Sequence, residues 1–248
     1  MKIIDAVWEK RNLGVDTIEI EIEDADCITE GFDLKNKIVN LIDKDKYQYY
    51  VLKFDAGNLN MYKLANELGF SFAEMQFDFA IFKNIFANED YSKIKRFNTL
   101  SVEEYSDEEH FDYVISKIND SMFYSDRISL DPYFGVKTAN LRYLNWVKDL
   151  KKNRDYSISL FYNGSEPIGF SLNRNDGDIC FGLLGGLFSE IQSSAWGLIA
   201  HYSNLITVFN KYTSFRTSLS SNNIKVIKLW QYFSAKMLKM RYVYVKHV

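Results

Sequence analysis

Between Ile179 and His201 the chain reads ICFGLLGGLFSEIQSSAWGLIAH: an apolar, glycine-interrupted run, a short polar loop, then small residues leading into a long run of helical character. A strand that ends in small residues just ahead of a helix leaves backbone N–H groups aimed at whatever sits over the helix N-terminus, which suits a phosphate. The same pattern fits an ordinary strand-loop-helix connection, because Gly- and Ser-rich turns before helices are common. Metal chemistry has no comparable pattern. Cys27 and Cys180 lie too far apart in sequence to suggest a metal pair, and His110, His201 and His247 fall in no H-E-x-x-H spacing. His110, in the acidic helix start DEEHFDYVISKI, reads as an exposed neighbour of carboxylates.

The elements around this stretch must come from a chain with ample core material: 248 residues, 47% hydrophobic and 16% aromatic. That length allows one large domain or two small ones. A net charge of −3 argues against general nucleic-acid binding, which needs clustered Lys and Arg facing phosphates. The opening MKIIDAVWEKRN has no apolar run long enough for a signal peptide, and no stretch reaches the roughly 20 uncharged residues of a spanning helix. The expectation is a cytoplasmic protein with reduced thiols, no metal and no membrane contact, a monomer or homodimer.

Periodicity places the elements. DTIEIEIE (16–23) alternates as a half-buried strand with Ile18, Ile20 and Ile22 on one face and a solvated acidic face opposite. Residues 32–43 are helical in pattern and 47–54 form a second strand. Residues 58–68 make a helix ended by a left-handed Gly69, and 72–82 alternate again. A similar helix-turn-strand returns at Asn223–Trp230, Ser234 and Met240–Lys246, a faint internal repeat. Residues 84–98 look like a polar linker, and the domain boundary is placed there. Asp131-Pro132 stops what precedes it, with Thr138 as N-cap of a helix to Leu150 whose apolar stripe is Ala139, Tyr143, Trp146 and Leu150. Arg127 and Asp131 could form a local salt bridge. Strands follow at 156–162, 167–173, 179 onward and 214–220, with a hairpin at Asn163-Gly164.

The order Gln192, two residues, Ala195, one residue, Gly197 resembles the Q/R-x-x-G-x-G/A loop that holds the coenzyme A pyrophosphate in GNAT acyltransferases, with Ala195 at the first Gly. Asn223, Val226, Leu229 and Trp230 resemble that family's N-x-x-A-x-x-L-Y helix. Asp126-Arg127-Ile128, Asp131-Pro132 and a helix with Tyr143 and Trp146 look like the segment before the core in nucleotide-linked amino-sugar N-acyltransferases, the group that includes dTDP-fucosamine acetyltransferase. WEKRNLGVDTIEIEI resembles that group's opening. The resemblance implies an α/β (α+β) GNAT fold, a mixed, largely antiparallel sheet flanked by helices. Residues 1–90 would form a smaller, truncated GNAT-like half-domain and residues 91–248 the acyl-CoA-binding domain.

It also implies roles. The main chain of Leu184, Gly185, Gly186 and Leu187 would offer the oxyanion donor, with the glycines letting the cofactor approach. Gln192, Ser193, Ser194, Ala195, Trp196, Gly197 and Leu198 would hold the pyrophosphate, and Asn223 the pantetheine arm. Trp230 stands where relatives place a Tyr, and an indole cannot protonate a departing thiolate, so Tyr232, Ser221 or water would serve as acid. Asp131 would orient or deprotonate the acceptor ammonium, Tyr124 and Tyr133 would stack on thymine, and Arg127 would pair with the diphosphate. The implied reaction moves an acetyl or short hydroxyacyl group, such as 3-hydroxybutanoyl, from acyl-CoA to the amine of a dTDP-linked amino-dideoxy sugar for bacterial surface-glycan (O-antigen, capsule or lipopolysaccharide) synthesis. The alternatives are a GNAT acting on a peptide or small amine, and a degenerate GNAT that binds without turnover.

Overall fold

The computed structural model of the chain describes residues 1–42, 46–95, 100–119, 122–188 and 195–248, without the side chains of residues 24, 25 and 27–32. The first half runs β1 (Lys2–Asp5), α1 (Val7–Leu13), β2 (Thr17–Ile22), α2 (Asp24–Ile42), β3 (Tyr49–Asp55), α3 (Leu59–Glu67) and β4 (Ser71–Phe82). Two short helices, α4 (Lys83–Asn88) and α5 (Ser92–Lys95), lead to the second half. This comprises β5 (Ser101–Tyr105), α6 (Glu108–Lys117), α7 (Gly135–Leu150), β6 (Tyr156–Asn163), β7 (Glu166–Asp176), β8 (Ile179–Leu187), α8 (Trp196–Lys211), β9 (Ser214–Ser220), α9 (Ile224–Tyr232) and β10 (Lys236–His247).

Among the described residues the strands form one sheet in the order β1-β2-β3-β10-β4-β9-β8-β7-β6-β5. Only β2/β3 and β8/β9 are parallel pairs, as the crossover helices α2 and α8 require. The centre of this order is a palindrome. Each half contributes a parallel pair, a helix and a long final strand, and each final strand crosses to the other half: β10 lies between β3 and β4, and β4 between β10 and β9. The repeat extends to detail. The Asn58 side chain accepts from the Met61 N–H at 3.1 Å and the Asn223 side chain from the Val226 N–H at 3.3 Å, capping α3 and α9 alike. Beyond each helix a left-handed residue turns the chain, Gly69 (φ +74°) in one half and Ser234 (φ +56°) in the other.

On one face, α2 and α3 cover a core built from Ile18, Ile20, Ile22, Tyr50, Leu52 and Phe54, and α8 and α9 cover a second around Phe161, Phe209, Phe215 and Trp230. On the other face α6 and α7 pack over Ile158, Leu160, Phe170 and Leu172. The N-terminal half is tied to α7 by an ion pair and an amide hydrogen bond: Arg142 Nε donates to the fully buried Glu9 at 2.6 Å, and Asn145 Nδ2 to Asn12 Oδ1 at 2.9 Å.

Three local expectations change. The outer face of β2 is not solvated: Glu19 is buried, accepting from Lys53 Nζ at 2.6 Å and Arg127 Nη2 at 2.7 Å. Burial raises the Glu19 pKa, and the nearby charges of Arg127 and Lys53 outweigh it, bringing the carboxyl down to about 2. Residues 84–95 are not a simple linker, since Tyr91 and Ile94 are buried and the Phe86 ring packs on Tyr91 and Phe209 at 4.9 and 5.2 Å; residues 96–98 lie outside the described residues. Two helices too short to show a period hid this packing. Finally, α7 starts before Thr138, whose hydroxyl bonds back to the Phe134 carbonyl at 2.9 Å. The start is set by the Asp131 carbonyl, which accepts from the Gly135 N–H at 3.0 Å. Among the described residues no helix is long and apolar enough to cross a membrane.

Candidate functional site

The site is made by two strands that part. β8 and β9 pair from Ile179/Ser214 through Phe181/Arg216, and the ladder ends there. On the other side of β8 the pairing with β7 slips between Asn173/Gly182 and Leu172/Leu184, so Leu183 is an extra residue. Such a bulge bends its strand and increases local twist, here carrying β8 away from β9. Among the described residues the β9-facing edge of β8 has no strand partner beyond Phe181. At the apex the Thr217 hydroxyl donates to the Gly182 carbonyl at 2.8 Å, a side-chain strut where the backbone ladder stops. A Cβ on Gly182 would sit 2.6 Å from the Phe215 ring, so the glycine leaves room for that ring at the apex.

A cavity of about 550 Å³ fills this wedge and is lined by residues from both faces of the sheet. Its walls are β8 from Gly182 to Leu187, β9 from Thr217 to Ser220, the first turns of α8, and Asn223, Val226 and Trp230 at α9. On the opposite face it is bounded by residues 122–126 and Tyr143. The wide end lies beside the α8 N-terminus, where the first-turn N–H groups and the helix dipole favour an anion.

The structure divides the residues singled out from sequence. Leu184, Gly185, Gly186, Leu187, Gly197, Leu198, Asn223 and Trp230 line the cavity, as does Tyr124 at its mouth, where Lys225 Nζ lies 3.5 Å from the phenol. Gln192, Ser193 and Ser194 lie outside the described residues. Ala195 precedes α8 and Trp196 opens it, and neither is among the lining residues. A Cβ on Gly185 would meet the Phe170 carbonyl oxygen at 2.8 Å, so this glycine serves the close approach of β7. Gly186 faces the cavity.

Asp131, Arg127, Tyr133 and Tyr232 do not line it. Asp131 is buried, with Oδ2 2.9 Å from His247 Nε2 and Oδ1 accepting from the Tyr133 N–H at 2.9 Å. Arg127 pairs with Glu19 and not with Asp131, because the turn at 126–131 sends the guanidinium over β2. Tyr133 is 75% exposed and stacks on His247 at 4.1 Å, and Tyr232 packs edge-on against Phe233 at 5.2 Å. Ser221 accepts from the Met75 N–H at 3.0 Å.

Three residues at the cavity were given no role there from the sequence. Asp126 Oδ1 accepts from the Ser129 N–H at 2.7 Å, while its Oδ2 is buried beside the Tyr143 phenol. Burial, then the neighbouring Asp126 carboxylate, holds the Tyr143 phenol above its ordinary range. His201 and Asn204 lie on the α8 wall. Burial depresses the His201 pKa to about 3, so its imidazole is neutral at pH 7. The adjacency of Asp126 to a tyrosine 17 positions on, and of His201 to an aromatic helix, carries no local sequence signal.

No family model matches the chain, and no curated protein matches it. Solved structures are similar to it. A GCN5-related N-acetyltransferase from Sphaerobacter thermophilus superposes with a TM-score of 0.60 at 9% identity, covering 99% of this chain and 75% of that one. A functionally unknown conserved protein from Staphylococcus epidermidis gives 0.60 at 9% identity over 94% and 84%. A tandem GNAT protein from the clavulanic acid biosynthesis pathway gives 0.54 at 10% identity over 93% and 75%. The chain therefore has the mixed α/β fold of the GCN5-related N-acetyltransferases.

Proposed function

We propose that this chain is an acyl-CoA-dependent N-acyltransferase. The observation that carries the proposal is the parting of β8 from β9 beyond Phe181, with a cavity reaching both sheet faces, so that two substrates can meet through the gap. The residues suit a pantetheine thioester. The unpaired edge of β8 offers main-chain N–H and C=O groups to the amides of the arm, and the α8 N-terminus suits the diphosphate. Asn223, whose oxygen caps α9, keeps its Nδ2 for the arm.

Acyl-CoA supplies an acyl carbon whose C–S bond is exchanged for a C–N bond. A β8 main-chain N–H between Leu184 and Leu187 would stabilise charge on the carbonyl oxygen, worth about 3 kcal/mol when preorganised. The acceptor would enter from the 122–126 side, where the Asp126 carboxylate, beside the Tyr143 phenol, would bind the ammonium and take the proton it sheds. The walls position both reactants, and the proton required by the thiolate comes from solvent or the acceptor, since Trp230 has no acidic group to give.

For the acceptor, the resemblance of residues 126–146 and the position of Tyr124 at the mouth support a nucleotide-linked amino sugar of the dTDP type, as used in surface-glycan synthesis. The pairing of Arg127 with Glu19 gives no support to a diphosphate contact there. The test is mass spectrometry of products from acetyl-CoA or 3-hydroxybutanoyl-CoA with dTDP-amino sugars, small amines and peptides. An acylated amine supports the reading. CoA binding without turnover of any amine would favour a non-catalytic binder.

A further inference from the structure

The apex of the wedge holds two side chains that the fold does not satisfy. His201 and Asn204 stand three residues apart on α8, hence on one face of it, and both line the cavity. Asn204 is 1% exposed, and among the described residues neither its Oδ1 nor the buried His201 Nε2 has a hydrogen-bond partner. Their surroundings are apolar. The imidazole packs on Trp230 at 5.3 Å, Phe233 at 5.2 Å and Phe215 at 6.1 Å, and Phe161, Leu198 and Ala200 complete the wall. A buried polar group without a partner costs about 1–3 kcal/mol, so two on one wall are retained at a real loss of stability.

Their place in the wedge says what would meet them. Phe215 sits in the last rungs of the β8/β9 ladder, opposite Cys180, so His201 is at the closed end, away from the wide end beside the α8 N-terminus. A thioester whose diphosphate lies at that N-terminus enters from the wide end, with its acyl group leading toward the apex. A hydroxyl donates one hydrogen bond and accepts others, which complements one acceptor, Asn204 Oδ1, and one donor, the N–H of an imidazole. A neutral imidazole at pH 7 offers that N–H without acting as an acid.

Building on the acyltransferase reading, we infer that the closed end of the wedge is an acyl-chain pocket selecting a short hydroxyacyl donor, its hydroxyl held between His201 and Asn204. A site built to bond a hydroxyl rejects the analogue lacking it, because its own polar groups are then left unpaired.

The experiment compares kcat/KM for 3-hydroxybutanoyl-CoA and butanoyl-CoA with one common amine, in the wild-type protein and in Asn204→Leu and His201→Phe, with binding of CoA itself followed by calorimetry. The expected wild-type ratio favours the hydroxyacyl donor at least tenfold, and either variant brings the ratio to within about threefold of unity. Equal use of the two donors by the wild type would overturn the inference, and so would a variant that slows both equally, which would mark a contact with the shared CoA portion. If a variant does not fold, the wild-type ratio decides. Failure of CoA to bind would instead sink the acyltransferase reading, and this inference with it.

Discussion

Asp126 and Asp131 lie five residues apart and differ in partners. Asp131 has both oxygens engaged, by His247 and by the Tyr133 N–H, whereas Asp126 lies at the cavity with its Oδ2 buried beside the Tyr143 phenol. Asp126→Asn is expected to lower kcat/KM for the amine by about 10²-fold while leaving the Kd for CoA within about twofold, read by steady-state kinetics and calorimetry. Glu19 makes a second residue-scale prediction. Its folded pKa of about 2 lies below the ordinary 4.5, so its stabilisation is present above pH 4.5 and lost as pH falls toward 2. Urea melts across that window should lose about 3 kcal/mol from this group. Glu19→Gln should flatten that dependence and, by leaving Arg127 buried and unpaired, cost about 3–5 kcal/mol at pH 7. This burial was illegible in the sequence: DTIEIEIE alternates as any half-solvated strand would, and the residues that bury Glu19 lie 34 and 108 positions away.

At the scale of elements, local periodicity carried most of the reading. The strand over Ser214–Ser220 falls where Phe215, Thr217 and Leu219 alternate, and the Asn163-Gly164 hairpin and the Asn58 and Asn223 helix starts are where their residue chemistry puts them. Periodicity could not reveal that β8 and β9 part company, because the bulge at Leu183 is a mismatch between two strands and neither sequence alone contains it. Glycines mark the place with two different physical demands, Gly185 against the backbone of β7 and Gly182 against the ring of Phe215. Gly182→Ala should displace the Phe215 ring at the apex, costing about 1–3 kcal/mol in stability and weakening acetyl-CoA binding by at least tenfold, measured by thermal melts and calorimetry.

For the whole molecule, the exchange of β4 and β10 makes the two halves one sheet. The faint repeat seen in Gly69 and Ser234 is real at the level of caps and turns, yet strand partnership across 160 residues leaves no mark on either segment's alternation. A fragment spanning residues 91–248 would lack both neighbours of β10, and is expected to show no cooperative unfolding transition by circular dichroism, with recovery when residues 1–90 are co-expressed. The exchange also places Met75 of β4 against Ser221 at the wedge's wide end, so the N-terminal half shapes the site without lining it.

The crystal structure of the protein with coenzyme A tests the central claim most directly. The account predicts the pantetheine arm between β8 and β9, its amides bonded to the unpaired edge of β8 between Leu183 and Leu187, with the diphosphate over the first turn of α8. Coenzyme A bound elsewhere, or absent from crystals grown at saturating concentration, would contradict it.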